Sequence, residues 1–155
     1  MSEVAETMIV RAVELSDAVA WDALFRDYIA FYKATVADGV IATTWQRLVA
    51  GSDNMHGLVA VNADGSVIGL AHLVFHRSTW SPTWYCYLED LYVDETMRGS
   101  GAGRALIAAA YGEADKRGAT RTYWATQTEN SVARRLYDDV GELTEFVQYR
   151  RPEAR

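Results

Sequence analysis

Apolar positions along the chain recur at two spacings, and the change from one to the other divides it into elements. Val19, Leu24, Phe25, Tyr28, Ile29 and Tyr32 fall at helical spacing, and Leu15-Ser16-Asp17 just before them offers an N-cap. Met8 to Val13 reads as a short strand ahead of this helix. Thr43 or Thr44 is expected to cap a shorter helix through Leu48 and Val49 that ends near Gly51. Gly57 to Asn62 and Ser66 to His76 are apolar, β-branched runs. Ala63-Asp64-Gly65 joins them, and Asp-Gly supplies the positive φ of a hairpin turn, so the two runs should pair antiparallel. Thr79 to Thr83 is a loop marked by Pro82, and Trp84 to Val93 is a long aromatic strand that stops at Asp94.

Beyond a glycine cluster at 99 to 103, Arg104 to Lys116 is Ala-rich, with Leu106, Ile107, Ala110 and Ala114 at helical spacing and Gly118 closing it. Thr120 to Thr126 reads as a strand, Asn130 to Asp139 as a helix and Thr144 to Arg150 as a final strand. The order βααβββαβαβ, with no repeat or linker, predicts one α/β (α+β) domain over residues 1–155, built on a mixed sheet.

Composition narrows the function. The net charge of −6 has the wrong sign for a protein that neutralises nucleic-acid phosphates, so no nucleic-acid partner is expected. Acidity favours cationic partners. Cys86 is the only cysteine, which excludes an internal disulfide and a thiolate metal cluster and suits the cytoplasm. No stretch of about twenty apolar residues is present, so no membrane association is expected. His56, His72 and His76 show neither triad nor metal spacing relative to Cys86, and no metal is expected. An isolated strand cysteine reads as a small buried hydrophobe rather than an acyl carrier.

The chemistry concentrates in Leu91-Tyr92-Val93-Asp94-Glu95-Thr96-Met97-Arg98-Gly99-Ser100-Gly101-Ala102-Gly103-Arg104, a strand, a turn, a glycine cluster and a helix start. Glycines let the backbone approach a ligand, and the first N–H groups of a helix have no internal acceptor, so the segment suits an anion such as a pyrophosphate. The P-loop needs Lys then Ser or Thr after its last glycine, whereas Gly103 is followed by Arg104 and Ala105. The dinucleotide fingerprint needs glycine where Arg104 stands. The pattern present is Arg-x-x-Gly-x-Gly at Arg98, Gly101 and Gly103.

That loop resembles the pyrophosphate loop of the GNAT N-acetyltransferase superfamily. Tyr87-Leu88-Glu89-Asp90-Leu91-Tyr92-Val93 is similar to the strand that precedes it in the polyamine and fungal histone acetyltransferase subgroup. Asn130-Ser131-Val132-Ala133-Arg134-Arg135-Leu136-Tyr137 is similar to the Asn-x-x-Ala-x-x-x-Tyr helix of the same proteins. The family ending departs here: an aromatic usually follows the glycine of that helix, but Glu142 follows Gly141 and Phe146 comes later. The resemblance implies a GNAT fold with about six or seven strands, acetyl-CoA as co-substrate without a metal, direct transfer to a small-molecule amine, and a homodimer paired through the last strand.

The resemblance also implies roles. An alkylammonium must lose a proton before it attacks a thioester. Glu89 matches the glutamate proposed as that base. Strand alternation would send Asp90 to the opposite face, although a bulge would shift this by one residue. Asp90 is a candidate to steady the cationic substrate. The Val93 N–H matches the donor for the oxyanion. Tyr137 matches the general acid, or else is a core aromatic. Asn130 would bond the pantetheine arm, or simply cap its helix, and Ala133 belongs to the same cofactor-binding set. Aromatic walls suit alkylammonium groups, and Tyr28, Tyr32, Trp84 and Trp124, with Phe25 and Trp80, are candidates to form them. The acceptor could be a polyamine or diamine, an amino acid, or a lysine side chain; a non-catalytic acyl-CoA sensor is the alternative reading.

Overall fold

A computed structural model describes residues 7–153. The elements run β1 (Ile9–Ala12), α1 (Ala18–Phe31), α2 (Asp38–Ala50), β2 (Met55–Val61), β3 (Val67–His76), β4 (Tyr85–Val93), α3 (Ala102–Lys116), β5 (Arg121–Tyr123) and α4 (Ser131–Val140). Short 3-10 turns at Leu15–Asp17 and Glu95–Met97 precede α1 and the glycine loop.

The sheet has five strands in chain order, with β1 to β4 antiparallel and β5 parallel to β4. The expected hairpin forms, Gly65 taking φ +88° while Asn62 and Ser66 close the turn. On one sheet face Trp21 and Leu24 of α1 and Ile41 and Leu48 of α2 pack with Leu70 and Tyr92. On the other lies α3, with Leu106, Ile107 and Ala110 at most 1 % exposed. Gly69 permits that approach: a Cβ there would stand 3.0 Å from the Tyr92 carbonyl and 3.1 Å from Leu106 Cδ1.

Several boundaries differ from expectation. The α2 helix starts at Asp38, so Thr43 and Thr44 lie within it, their hydroxyls donating to the carbonyls of Gly39 and Val40 instead of capping. Asp17 stands at the α1 N-cap position, but its buried carboxylate accepts from Arg11 and from the Glu14 N–H. β5 is confined to three residues.

The final strand is a correction: residues 144–150 join no ladder, and the sheet holds five strands among the described residues rather than six or seven. A strand exists only where a second backbone takes its hydrogen bonds, and apolar alternation does not supply one. Residues up to Ala125 form one compact unit and Thr126 onward another, which carries α4. Asn130 caps α4, its side-chain oxygen accepting from the Ala133 N–H at 3.3 Å.

Leu106, at 0 % exposure, anchors α3 to the sheet. Leu106→Ala should therefore cost about 2–5 kcal/mol of stability. Urea unfolding measures this, and an unchanged midpoint would contradict the packing described.

Candidate active site

Side chains along β4 alternate between the two sheet faces only as far as Leu88. There Leu73 pairs with Leu88 and the next residue back, His72, pairs with Asp90, so Glu89 is an extra residue, a β-bulge. Tyr92 packs on Tyr28 of α1 at 5.8 Å, and Asp90 bonds His72, which meets Phe25 of α1 at 5.0 Å. Counting from that end and from Tyr87, the bulge sets Glu89 and Asp90 on the same helix-covered face. The alternation that would separate these acids is cancelled here, as a bulge allows.

Burial pushes the Glu89 carboxyl above its ordinary range, the neighbouring Asp90 carboxylate adds to this, and His72 opposes it. Glu89 keeps an exposed surface, yet the atoms packed round its carboxyl exclude enough water to make desolvation the leading cause. Such a group holds a proton more tightly than a free glutamate and is the better base for it.

Asp90 is held from behind. His72 is 2 % exposed, its Nδ1 is 2.9 Å from Asp90 Oδ2, and Trp21 Nε1 lies 2.9 Å from its Nε2. An indole N–H only donates, so Nε2 accepts, the ring proton sits on Nδ1, and His72 donates to the carboxylate. Neither His72 nor Trp21 was singled out from sequence. The available signal was a polar residue in the middle of Gly69-Leu70-Ala71-His72-Leu73-Val74-Phe75.

The backbone offers donors close by. Asp94 N–H donates to the Ile68 carbonyl at 2.8 Å, and in an antiparallel ladder hydrogen-bonded and non-bonded pairs alternate. Val93 opposite Gly69 and Leu91 opposite Ala71 are thus the non-bonded pairs, and their N–H groups point away from β3. On that side β5 pairs only with Tyr85 to Tyr87, so the strands have parted there. Tyr92 N–H faces β3, and its ring lies in the core.

In the loop, the Asp94 carboxylate accepts from the Thr96 N–H at 3.0 Å, and Gly99 and Gly101 take φ +82° and +87°. Added Cβ atoms there would meet nothing, so backbone conformation, not crowding, demands glycine. Ala105 N–H makes the first α3 bond, to the Gly101 carbonyl, which leaves the N–H groups of the first turn without intrahelical acceptors. The Arg98 guanidinium lies 5.7 Å from the rings of Phe31 and Tyr92, and Ser100 sits between the two positive-φ glycines. Ala102, Gly103 and Arg104 form the first turn of α3.

The other expected residues are dispersed. Tyr28 packs on Tyr32 at 5.0 Å and edge-on against Tyr92, beside the core. Trp84 lies before β4 under the Arg77 guanidinium, 3.8 Å away, and Trp124 packs on Tyr111 of α3. Neither is gathered with the acids. Trp80 is 87 % exposed. Beside Glu89 stand instead Tyr87 and Tyr123, rings 4.8 Å apart. Ala133 and Tyr137 belong to α4, and Asn130 caps it. Burial pushes the Cys86 thiol up to about 11, so it is not a ready nucleophile. Among the described residues no group of acids, histidines and cysteine could hold a metal, and no helix could cross a membrane.

Comparison with known proteins adds a family pattern to this geometry. The model described as the acetyltransferase (GNAT) family matches residues 21–141. The D-amino-acid N-acetyltransferase HPA3 of Saccharomyces cerevisiae is 35% identical over 147 residues, 94% of this chain and 91% of that protein. The uncharacterized N-acetyltransferase YhfO of Bacillus subtilis is 34% identical over 146 residues, covering 92% and 95%. The structure of AAC(6')-Iy in complex with a bisubstrate analog superposes with a TM-score of 0.81 at 20% identity, over 96% of this chain and 99% of that one.

Trp21→Phe would leave the buried His72 Nε2 without its donor, at a cost of about 1–3 kcal/mol. Chemical denaturation of the variant measures this; full stability would mean that the Trp21 contact does not hold the ring.

Proposed function

The chain belongs to the acetyltransferase (GNAT) family and is an acyltransferase, and from that premise we propose that it moves an acetyl group from acetyl-CoA to the primary amine of a small molecule. The observation that carries the reading is the bulge, which places a water-poor glutamate and a fixed aspartate together beside the opening between β4 and β5.

Acetyl-CoA supplies the acetyl group as a thioester. The loop suits its pyrophosphate: two positive-φ glycines, unbonded first-turn N–H groups and Arg98 form a cationic backbone cradle. Glu89 takes the proton from the ammonium, directly or through water, and Asp90, oriented by His72, faces the same cation. The Val93 N–H points into the opening and would steady negative charge on the acyl oxygen. Tyr137 is proposed to return a proton to the thiolate, and Asn130, its oxygen committed to capping, has its amide N–H groups left for the pantetheine arm. Among the acceptors that the sequence leaves open, the likeness to a D-amino-acid N-acetyltransferase supports a free amino acid over a polyamine or a peptide lysine.

Residues 1–155 are read as one functional domain and, given a single buried thiol, as a cytoplasmic protein. A homodimer is also proposed. Phe146, Val147 and Tyr149 are 87 %, 78 % and 92 % exposed, and β5 is an edge strand, so a partner's segment 144–150 would find an open ladder.

Thiol release from acetyl-CoA, measured with amino acids, spermidine, putrescine and histone-tail peptides, tests the reaction. Glu89→Gln is expected to lower kcat/KM by about 10²-fold or more, and Tyr137→Phe to slow turnover. No turnover despite thermal stabilisation by acetyl-CoA would favour a sensor. Because Glu89 must be deprotonated, activity should fall as pH drops through its raised pKa, above the usual carboxylate range. Asp90→Asn keeps an acceptor for His72 but removes the like charge, so the acid limb of the kcat/KM profile should move to lower pH. Phe146→Asp with Tyr149→Asp should yield a monomer by analytical ultracentrifugation, and a wild-type protein already monomeric would end the dimer proposal.

A further inference from the structure

The sheet face that carries Glu89 and Asp90 has a cationic end. His76 closes β3, Tyr85 opens β4, and Arg121 and Tyr123 belong to β5; with Arg77 and Ser78 they line a cleft of about 310 Å³. None of these six is acidic, and neither arginine has a carboxylate partner among the described residues. In a chain of net charge −6, two unpaired guanidinium groups in one cleft are a local reversal of sign.

Both arginines are held in place by neutral groups. Arg77 lies 3.8 Å over the Trp84 ring and donates to the Thr83 carbonyl at 2.7 Å, while Arg121 lies 4.7 Å over Tyr85. Stacking through the face leaves guanidinium edges, which bear the N–H forks, open to a planar anion. His76 donates from Nδ1 to the Arg77 carbonyl, so its Nε2 accepts from the Tyr123 hydroxyl at 2.6 Å, and the floor of the cleft is ordered.

Aromatic rings lead from the cleft toward the acids. Tyr123 meets Tyr85 edge-on at 6.2 Å and packs on Tyr87 at 4.8 Å, and the Glu89 charge helps to raise the Tyr87 phenol. Tyr85, Tyr87 and Glu89 alternate onto one face, and four residues of strand span roughly 13 Å between backbones. A ligand held at both ends must therefore span several bonds.

We propose that this cleft binds a carboxylate on the acceptor, so that the substrate is an amine whose carboxylate lies several bonds from the reacting nitrogen, as in an ω-amino carboxylate or an amino acid acetylated on its side-chain amine. The proposal rests on the N-acetyltransfer reading and narrows its substrate class. A diamine has no anion to place there. The α-amine of an amino acid lies too close to its own carboxylate for both to be held.

Matched pairs of linear ω-amino carboxylates and their neutral amides, from β-alanine to aminooctanoate, test it through kcat and KM. Wild type should prefer the longer carboxylates over their amides by about tenfold or more and show no such preference at β-alanine. Arg121→Gln and Arg77→Gln should abolish the preference by raising KM for the carboxylates, with kcat and all amide kinetics unchanged. Equal use of acid and amide at every length, or a preference that survives both substitutions, overturns the cleft. Should no amine be acetylated, the transfer reading fails, and calorimetric titration with 6-acetamidohexanoate decides the cleft alone. Binding weakened in Arg121→Gln supports the site, and no binding, or equal binding, removes it.

Discussion

An extended strand sends successive side chains to opposite faces, and two neighbouring acids on one face are incompatible with that rule. The extra residue in β4 suspends it for one step. Everything chemical about the site depends on this. Without the bulge, Glu89 and Asp90 would face different layers, and the like-charge interaction that helps raise Glu89 would be lost. Beyond the bulge the alternation resumes, which aims the Val93 N–H away from β3 and returns Tyr92 to the core.

The two helical layers serve this strand differently. The α1 side supplies the Trp21 indole that fixes the His72 tautomer and, through it, Asp90. Of the aromatic residues that the sequence suggested as a substrate wall, Phe25 packs against that imidazole and Tyr28 against Tyr92. The α3 side supplies backbone donors, because Leu106 and its neighbours clamp the helix against the sheet at the point where its first turn faces the loop. Side-chain electrostatics thus come from one layer and main-chain electrostatics from the other.

Local rules carried much of the reading. Asp64-Gly65 specified the hairpin, the alanine-rich period specified α3, and the Arg98-Gly101-Gly103 spacing marked the loop, because each depends on residues adjacent in the chain. What failed depended on distant partners. The 144–150 segment alternates like a strand, but no pattern within it says whether another backbone is present to pair with it. Trp84 and Trp124, offered by the sequence for an aromatic wall, pack on Arg77 and Tyr111, contacts that no local pattern announces. His72 is linked to Trp21 across 51 residues, a separation no local window reaches.

The three-residue pairing of β5 with β4 bears on motion. Among the described residues it is the only parallel join in the sheet, and it closes the crossover through α3 with three paired residues. With fewer hydrogen bonds to break, such a join opens locally more readily than the longer β3–β4 ladder beside it. The opening between the two strands can therefore widen and reclose while the core on either face stays intact, which gives the sheet a breathing edge beside the two acids.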